Sequence, residues 1–247
     1  MPLLQAKVSR AHPGFSADAA AADARLTRRK ELIAAALGPS RFASLEEGSY
    51  VAFTHQTPAT AVAGTNQTSF AATNALFALR NPSTVALSAG GKCFVPDFIR
   101  LSVTTVPTTA ASGRFALAVD RSNRYSSGGT QFGAQCTNPG GGNPATTDLD
   151  LRLGALTLAA AGGNTRYAAA GMFRSVIPVL LDQIVFEFDG NDAGPQDIAG
   201  TTAKVITVKC PPVILEPNNN DILIGHVWYP SATVAAQYEF TAAGWWL

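Results

Sequence analysis

The chain has 247 residues, 47% of them hydrophobic and only 14% charged, with a formal net charge of +1 at pH 7. This length holds one large β domain with an appendage and a sizeable core, and the near-neutral balance offers no basic field for nucleic acid. No apolar run approaches the ~18 residues that span a bilayer, and the opening MPLLQAKVSRAHPGF has no apolar h-region of a signal peptide.

The first 48 residues differ in pattern from the rest. The stretch SADAAAADARLTRRKELIAAALGPS, residues 16–40, offers Ser16 as an N-cap and Gly38-Pro39 as a stop, which predicts one helix. Leu26, Ile33 and Leu37 fall on one narrow stripe with Ala19 and Ala22, while Arg25, Arg28, Arg29 and Lys30 cover much of the remaining surface. A lone helix with so narrow a stripe is not stable by itself. It is therefore expected to dock, as an arm over 1–48, on its own domain or on a neighbour.

From about Ser49 the hydrophobic period becomes two. SYVAFTH and NALFALR alternate. DFIRLSVTTV puts Ile99, Leu101 and Val103 on one face, and GRFALAVD does the same with Phe115, Leu117 and Val119. LRLGALTLAA, GMFRSVIP, QIVFEF, AKVITVKC, DILIGHVWYP and AQYEFTAAGWW follow, about ten strands in all. RYSSGGTQFGAQCTNPGGGNPATTD and FDGNDAGPQDIAGTT read as long loops. No helical pattern separates the strands, so an all-β, antiparallel sandwich of jelly-roll type is expected over 49–247, with the N-terminal helical arm in front of it.

Residues that could carry chemistry are scattered. His12, His55 and His226 have no metal-ligand spacing, and His226, inside DILIGHVWYP, reads as a satisfied core or interface histidine. Asp148 and Asp150 in DLDLR would share a strand face, but read as a solvated loop or strand edge. DGNDAGPQD, residues 189–197, offers Asp189 and Asn191 as oxygen ligands of a calcium loop, but Ala193 stands at the fifth place and Gly200 at the twelfth, so it reads as a hairpin turn. NPGGGNP, residues 138–144, has no Lys-Ser/Thr and no following helix, so it is a loop tip rather than a phosphate cradle. Cys93, Cys136 and Cys210 form no C-x-x-C pair and read as small core or loop residues, with one bridged pair left open. Tyr125, Phe132 and Tyr167 are candidates for sugar stacking or, more simply, for packing. No catalytic set converges and no cofactor is implied.

The last forty residues carry the most specific pattern. KCPPVILEPNNNDILIGHVWYPSATVAAQYEFTAAGWWL has a Pro-Pro-Val step, a proline-containing turn, an aliphatic-His-aliphatic-Trp strand and a closing EF…GWW. It resembles small jelly-roll proteins encoded among the head genes of tailed bacteriophages, as do FALAVDRSNRYSSGGT and RSVIPVLLDQIVFEF. The resemblance spans about Phe98 to Leu247. It implies a virion structural protein, made in the host cytoplasm, that decorates and stabilises the capsid. Its partner would be the major capsid protein, bound by a homotrimer without nucleic acid, membrane or small-molecule substrate. The alternative is a tail-fibre or baseplate module that binds a host glycan. On the capsid reading, Arg25, Leu26, Arg28, Arg29, Ile33 and Leu37 make the partner contact.

Trp245 and Trp246 join them. Tyr238 and Phe240 set one apolar face of a closing strand, so the two tryptophans should point to opposite faces. One is expected in the core and the other against a partner. Which is which depends on whether Gly244 makes a bulge.

Overall fold

Alternation places every second side chain of a half-buried strand on one face, and in the computed structural model Gln183–Glu187 and Val205–Lys209 follow that rule, whereas Asn74–Arg80 and Ile222–Trp228 are buried on both faces. The structure describes residues 49–54, 60–64, 66–109, 112–138, 142–163, 165–188 and 202–247. The expected arm and its helix over 1–48 lie outside these, as do His12, His55 and the DGNDAGPQD turn.

In chain order the strands are β1 (Tyr50–Thr54), β2 (Val62–Ala63), β3 (Asn74–Arg80), β4 (Phe94–Thr105), β5 (Gly113–Asp120), β6 (Tyr125–Gly133) and β7 (Gln135–Cys136). They continue with β8 (Asp150–Leu158), β9 (Arg166–Arg174), β10 (Gln183–Glu187), β11 (Val205–Lys209), β12 (Ile222–Trp228) and β13 (Gln237–Trp246). A single 3-10 turn at Leu87–Ala89 is the only helical element among the described residues.

Two sheets form a sandwich. One has the order β11-β10-β4-β13-β1-β7, with β2 added on β13; the other has the order β6-β8-β3-β12-β5-β9. The pairings nest: β1 pairs β13, β3 pairs β12, β4 pairs β10 and β5 pairs β9, all antiparallel. The expectation of a wholly antiparallel sandwich fails at one edge, where β11 lies parallel to β10. The connection from Glu187 to Val205 is long enough for the crossover that a parallel pair needs.

The core lies between the sheets. Ile99, Leu101 and Val103 of β4, Phe115 and Leu117 of β5 and Tyr238 and Phe240 of β13 all belong to it. Aromatic rings bridge the layers edge to face, Phe77 to Phe240 with centroids 5.4 Å apart and Phe115 to Phe186 at 5.2 Å. Each fully buried Phe of this kind contributes ~1.5–3 kcal/mol of transfer free energy. Gly225 makes room for this layer: a Cβ there would lie 1.9 Å from Cε1 of Phe77.

A second, smaller apolar cluster forms on the opposite side of β12 from Leu223 and Val227. It contains Ile222, Ile224, Ala78, Ala118, Leu156 and Leu158, with Tyr125 packed against it.

Two segments depart from the expected elements. The long loop beginning RYSSGGTQFG contains β6 and β7. Its Gly128 and Gly129 adopt φ of 88° and 70°, beside a register shift against β8, so a bulged strand hides in a loop-like composition. Conversely, the strand expected over GMFRSVIP begins earlier, at Arg166, and ends at Arg174. Residues 175–181 leave the sheet.

Candidate functional site

Of the residues singled out for partner contact, Arg25, Leu26, Arg28, Arg29, Ile33 and Leu37 lie outside the described residues. Trp245 and Trp246 close β13, each half-buried. Trp246 lies on the face of Tyr238, Phe240 and Ala242 and packs against the main core. Trp245 meets the Tyr50 ring at 5.4 Å, edge to face, and its indole N–H is buried without an acceptor. The Tyr50 hydroxyl donates to Asp97 at 2.9 Å, and burial together with that carboxylate pushes its pKa up.

The irregularity beside these tryptophans does not interrupt β13. Ala243 pairs with Phe98 and Gly244 with Pro96, so the extra residue, Asp97, is on β4. Gly244 lets that strand approach closely: a Cβ would lie 2.3 Å from the Val95 carbonyl. The chain end is held by reciprocal backbone hydrogen bonds between Cys93 and Leu247, at 2.8 and 2.9 Å.

Beside Trp246 the surface opens into two hollows that meet at Ser83, Val85 and Asp148. The first, about 580 Å³, is lined by Trp246, Lys92, Asn143 and the 90–91 turn. The second, about 600 Å³, is lined by Arg80, Arg152, Gln131, Thr84, Thr146 and Thr147. One wall, residues 81–93, is fixed from beneath. Fully buried Asn81 donates to the carbonyls of Lys92 and Leu215 at 2.8 and 3.0 Å.

Asp150 lies under the second hollow. It is fully buried and accepts from Arg80 Nε and Nη2, both at 2.7 Å, from Gln131 Nε2 at 2.7 Å and from Arg152 Nε at 3.2 Å. The Tyr125 ring lies beneath both guanidinium carbons, at 4.6 and 5.4 Å. The reading of Asp150 as a solvated edge is therefore wrong, because two arginines and a glutamine replace its water. Asp148 is not on the strand with it but in the preceding turn, half-buried at the junction of the hollows. The DLDLR motif held the missed signal, since Arg152 shares a strand face with Asp150.

A different surface forms where β9 ends. Val176, Ile177, Leu180 and Leu181 are 38%, 43%, 52% and 63% exposed, with Val205 of β11 at 61%. Leu181 has φ of 68°, an uncommon conformation for a leucine. A closed ion pair holds this loop: Arg174 and Asp182 are both fully buried, with Nε–Oδ2 at 2.9 Å and Nη2–Oδ1 at 3.0 Å. Asp182 also accepts the backbone N–H of Val179 and of Lys204, at 2.8 and 3.0 Å. Sequence reasoning took SVIP for strand; Pro178 within the run was the signal against it.

The remaining candidates divide. Phe132 is core. Tyr125 packs under the arginines, while Tyr167, half exposed, meets Phe70, which also contacts Trp228 and His226. His226 is buried, with Nδ1 2.7 Å from the Asn74 carbonyl and no partner for Nε2, so it is only half satisfied. Burial lowers its pKa to about 4. The three cysteines form no disulfide, Cys210 is buried, and burial raises the pKa of the Cys93 thiol. Among the described residues no three His, Cys, Asp or Glu side chains gather to hold a metal ion, and no helix is long and apolar enough to cross a membrane. Comparison with family models, with curated proteins and with solved structures finds no match to this chain.

Proposed function

We propose that the chain is a virion structural protein, a jelly roll that decorates a bacteriophage capsid and stabilises it by binding across neighbouring capsid subunits. The sequence resemblance over Phe98 to Leu247 supports this reading, and so does the strand order. β1-β13-β4-β10 in one sheet and β3-β12-β5-β9 in the other form the order that arises when one long antiparallel ribbon rolls over on itself, first strand with last. The other strands widen that frame.

The observation that carries the docking function is the apolar loop 175–181. It has no charge, it exposes four aliphatic side chains, and Val205 of β11 is exposed as well, the kind of apolar surface that interaction sites use. Burial of such a surface against a lattice, repeated over many sites, is binding without catalysis. In this reading the arm over 1–48 adds a second contact through Leu26, Ile33 and Leu37, with Arg25, Arg28 and Arg29 pairing with carboxylates of the major capsid protein. The assembly unit is a homotrimer.

The test is incorporation into heads that lack the protein. The full chain should bind in high copy, a chain lacking residues 1–40 should stay folded without binding, and a Leu180→Ser/Leu181→Asn chain should bind weakly. Attachment only at tails, or undiminished binding by both variants, overturns the proposal.

A further inference from the structure

The groove beside Trp246 has chemistry that an apolar docking loop does not use. Arg152 spends only its Nε on Asp150, and its two terminal nitrogens have no partner among the described residues. That guanidinium is not loose. Asp150 fixes one edge and the Tyr125 ring supports its face, so a forked pair of donors is held in place beside the second hollow. The charges of the groove are Arg80, Arg152 and Lys92 against Asp148 and Asp150, which leaves one positive charge in excess. Around the fork stand the hydroxyls of Thr84, Thr146 and Thr147 and the amide of Gln131. In the adjoining hollow stand a half-buried indole, Trp246, and the Asn143 amide. The Asn143 side chain is oriented by the Cys136 N–H, 2.8 Å from its Oδ1.

We infer that this groove binds an oligosaccharide carrying an oxyanion, a carboxylate or sulfate ester, seated on the Arg152 fork, with a neighbouring sugar ring against Trp246. A planar fork matches a carboxylate or sulfate in two parallel hydrogen bonds. The hydroxyl-rich walls and Asp148 match sugar hydroxyls, and an indole matches the apolar face of a pyranose. A peptide would want pockets for alternate side chains; beside Trp246 the walls here supply only the small apolar groups of Val85, Ala145, Pro82 and Pro144. The inference is independent of capsid binding, which rests on the 175–181 loop.

The experiment is calorimetric titration of the full chain with trigalacturonate, a sulfated galactotriose, neutral galactotriose, inorganic sulfate and a glutamate hexapeptide. One or both acidic sugars should bind, and the difference between them identifies the oxyanion. Neutral galactotriose should bind at least about tenfold more weakly, as loss of a charged hydrogen-bonding pair implies. Arg152→Ala should erase that difference, and Arg152→Lys, which keeps the charge but not the fork, should restore it only in part. Trp246→Phe should weaken acidic and neutral sugars alike. Equal binding of acidic and neutral sugars, no sugar binding, sulfate binding as tightly as any sugar, or preference for the glutamate peptide overturns the inference. So does an Arg152→Lys chain, folded by its melting temperature, that binds as the parent does.

Discussion

Two buried carboxylates organise the two surfaces of this protein, and they are neutralised differently. Asp182 meets one arginine, itself fully buried, and two backbone N–H groups; nothing of that charge reaches the surface. Asp150 meets two arginines that remain 15% and 22% exposed, so positive charge is left over and faces a groove. Among the described residues this pair is one-to-one, and it fixes a loop whose exposed side chains are aliphatic. The two-to-one cluster fixes a pair of hollows whose exterior is polar and cationic. The stoichiometry of the buried pair, more than its burial, sets what the surface above it can bind.

The largest expected effect comes from breaking the closed pair. Asp182→Ala takes the carboxylate from a buried guanidinium and releases two backbone donors, at a cost of ~3–5 kcal/mol. For a chain of this size that lowers the melting temperature by on the order of 10 °C. The double change Arg174→Met/Asp182→Leu should recover most of it, since a buried pair is often replaceable by apolar packing. Denaturant unfolding of the three chains measures both. A single-variant loss below about 1 kcal/mol would place the pair in contact with water and remove the contrast.

His226 adds a buried ionisable group with no counter-ion among the described residues. Its folded pKa is about 4 against an ordinary 6.5. Between those values the unfolded chain binds the proton and the folded chain does not, so stability is full above pH 6.5 and is lost as pH falls to about 4. The shift corresponds to about 3 kcal/mol. His226→Gln keeps a donor for the Asn74 carbonyl but does not titrate, and should remove that part of the pH slope. An unchanged slope in urea unfolding across this range would assign the loss to carboxylates instead.

At the open cluster the effect should be smaller. Asp150→Asn removes the shared acceptor, but Arg80 and Arg152 can recover water, so the loss should be ~1–2 kcal/mol. Thermal unfolding checks this. Equal losses for Asp150→Asn and Asp182→Ala would mean that the partial exposure of the two arginines is energetically irrelevant.

The sequence predicted these two regions unequally. β3 and β5 match the expected segments NALFALR and GRFALAVD because alternation and flanking turn residues coincide there. β6 was hidden by its serines and glycines, which sit on a sheet edge where little is buried. The SVIP part of the 175–181 loop reads as strand because an apolar run gives the same local signal whether it faces a core or solvent. Asp150 was read as solvated because its neutralisation comes partly from Arg80 on another strand, seventy residues away in the chain. The two tryptophans fall on opposite faces as alternation requires, yet neither is fully buried. The bulge beside them belongs to β4, which no local reading of GWW contains. Periodicity reports which face a residue takes; partners remote in sequence decide what that face meets.

The smallest expected effect separates surface from stability most cleanly. Leu181 is 63% exposed and holds φ of 68°, where a leucine bears a strain of ~1 kcal/mol and an asparagine less. Few contacts compensate, since most of the side chain is in water. Its backbone is nevertheless fixed, with N–H bonded to the Val103 carbonyl at 2.8 Å. Leu181→Asn should therefore stabilise the fold by up to about 1 kcal/mol while removing the most exposed aliphatic group of the loop. If the apolar loop is a docking surface, this chain melts higher and binds worse. If leucine there serves only the fold, it melts lower and binding follows stability. Glycan binding at the groove should not change in either case, because Asp150 and the Arg152 fork share no residue with the loop.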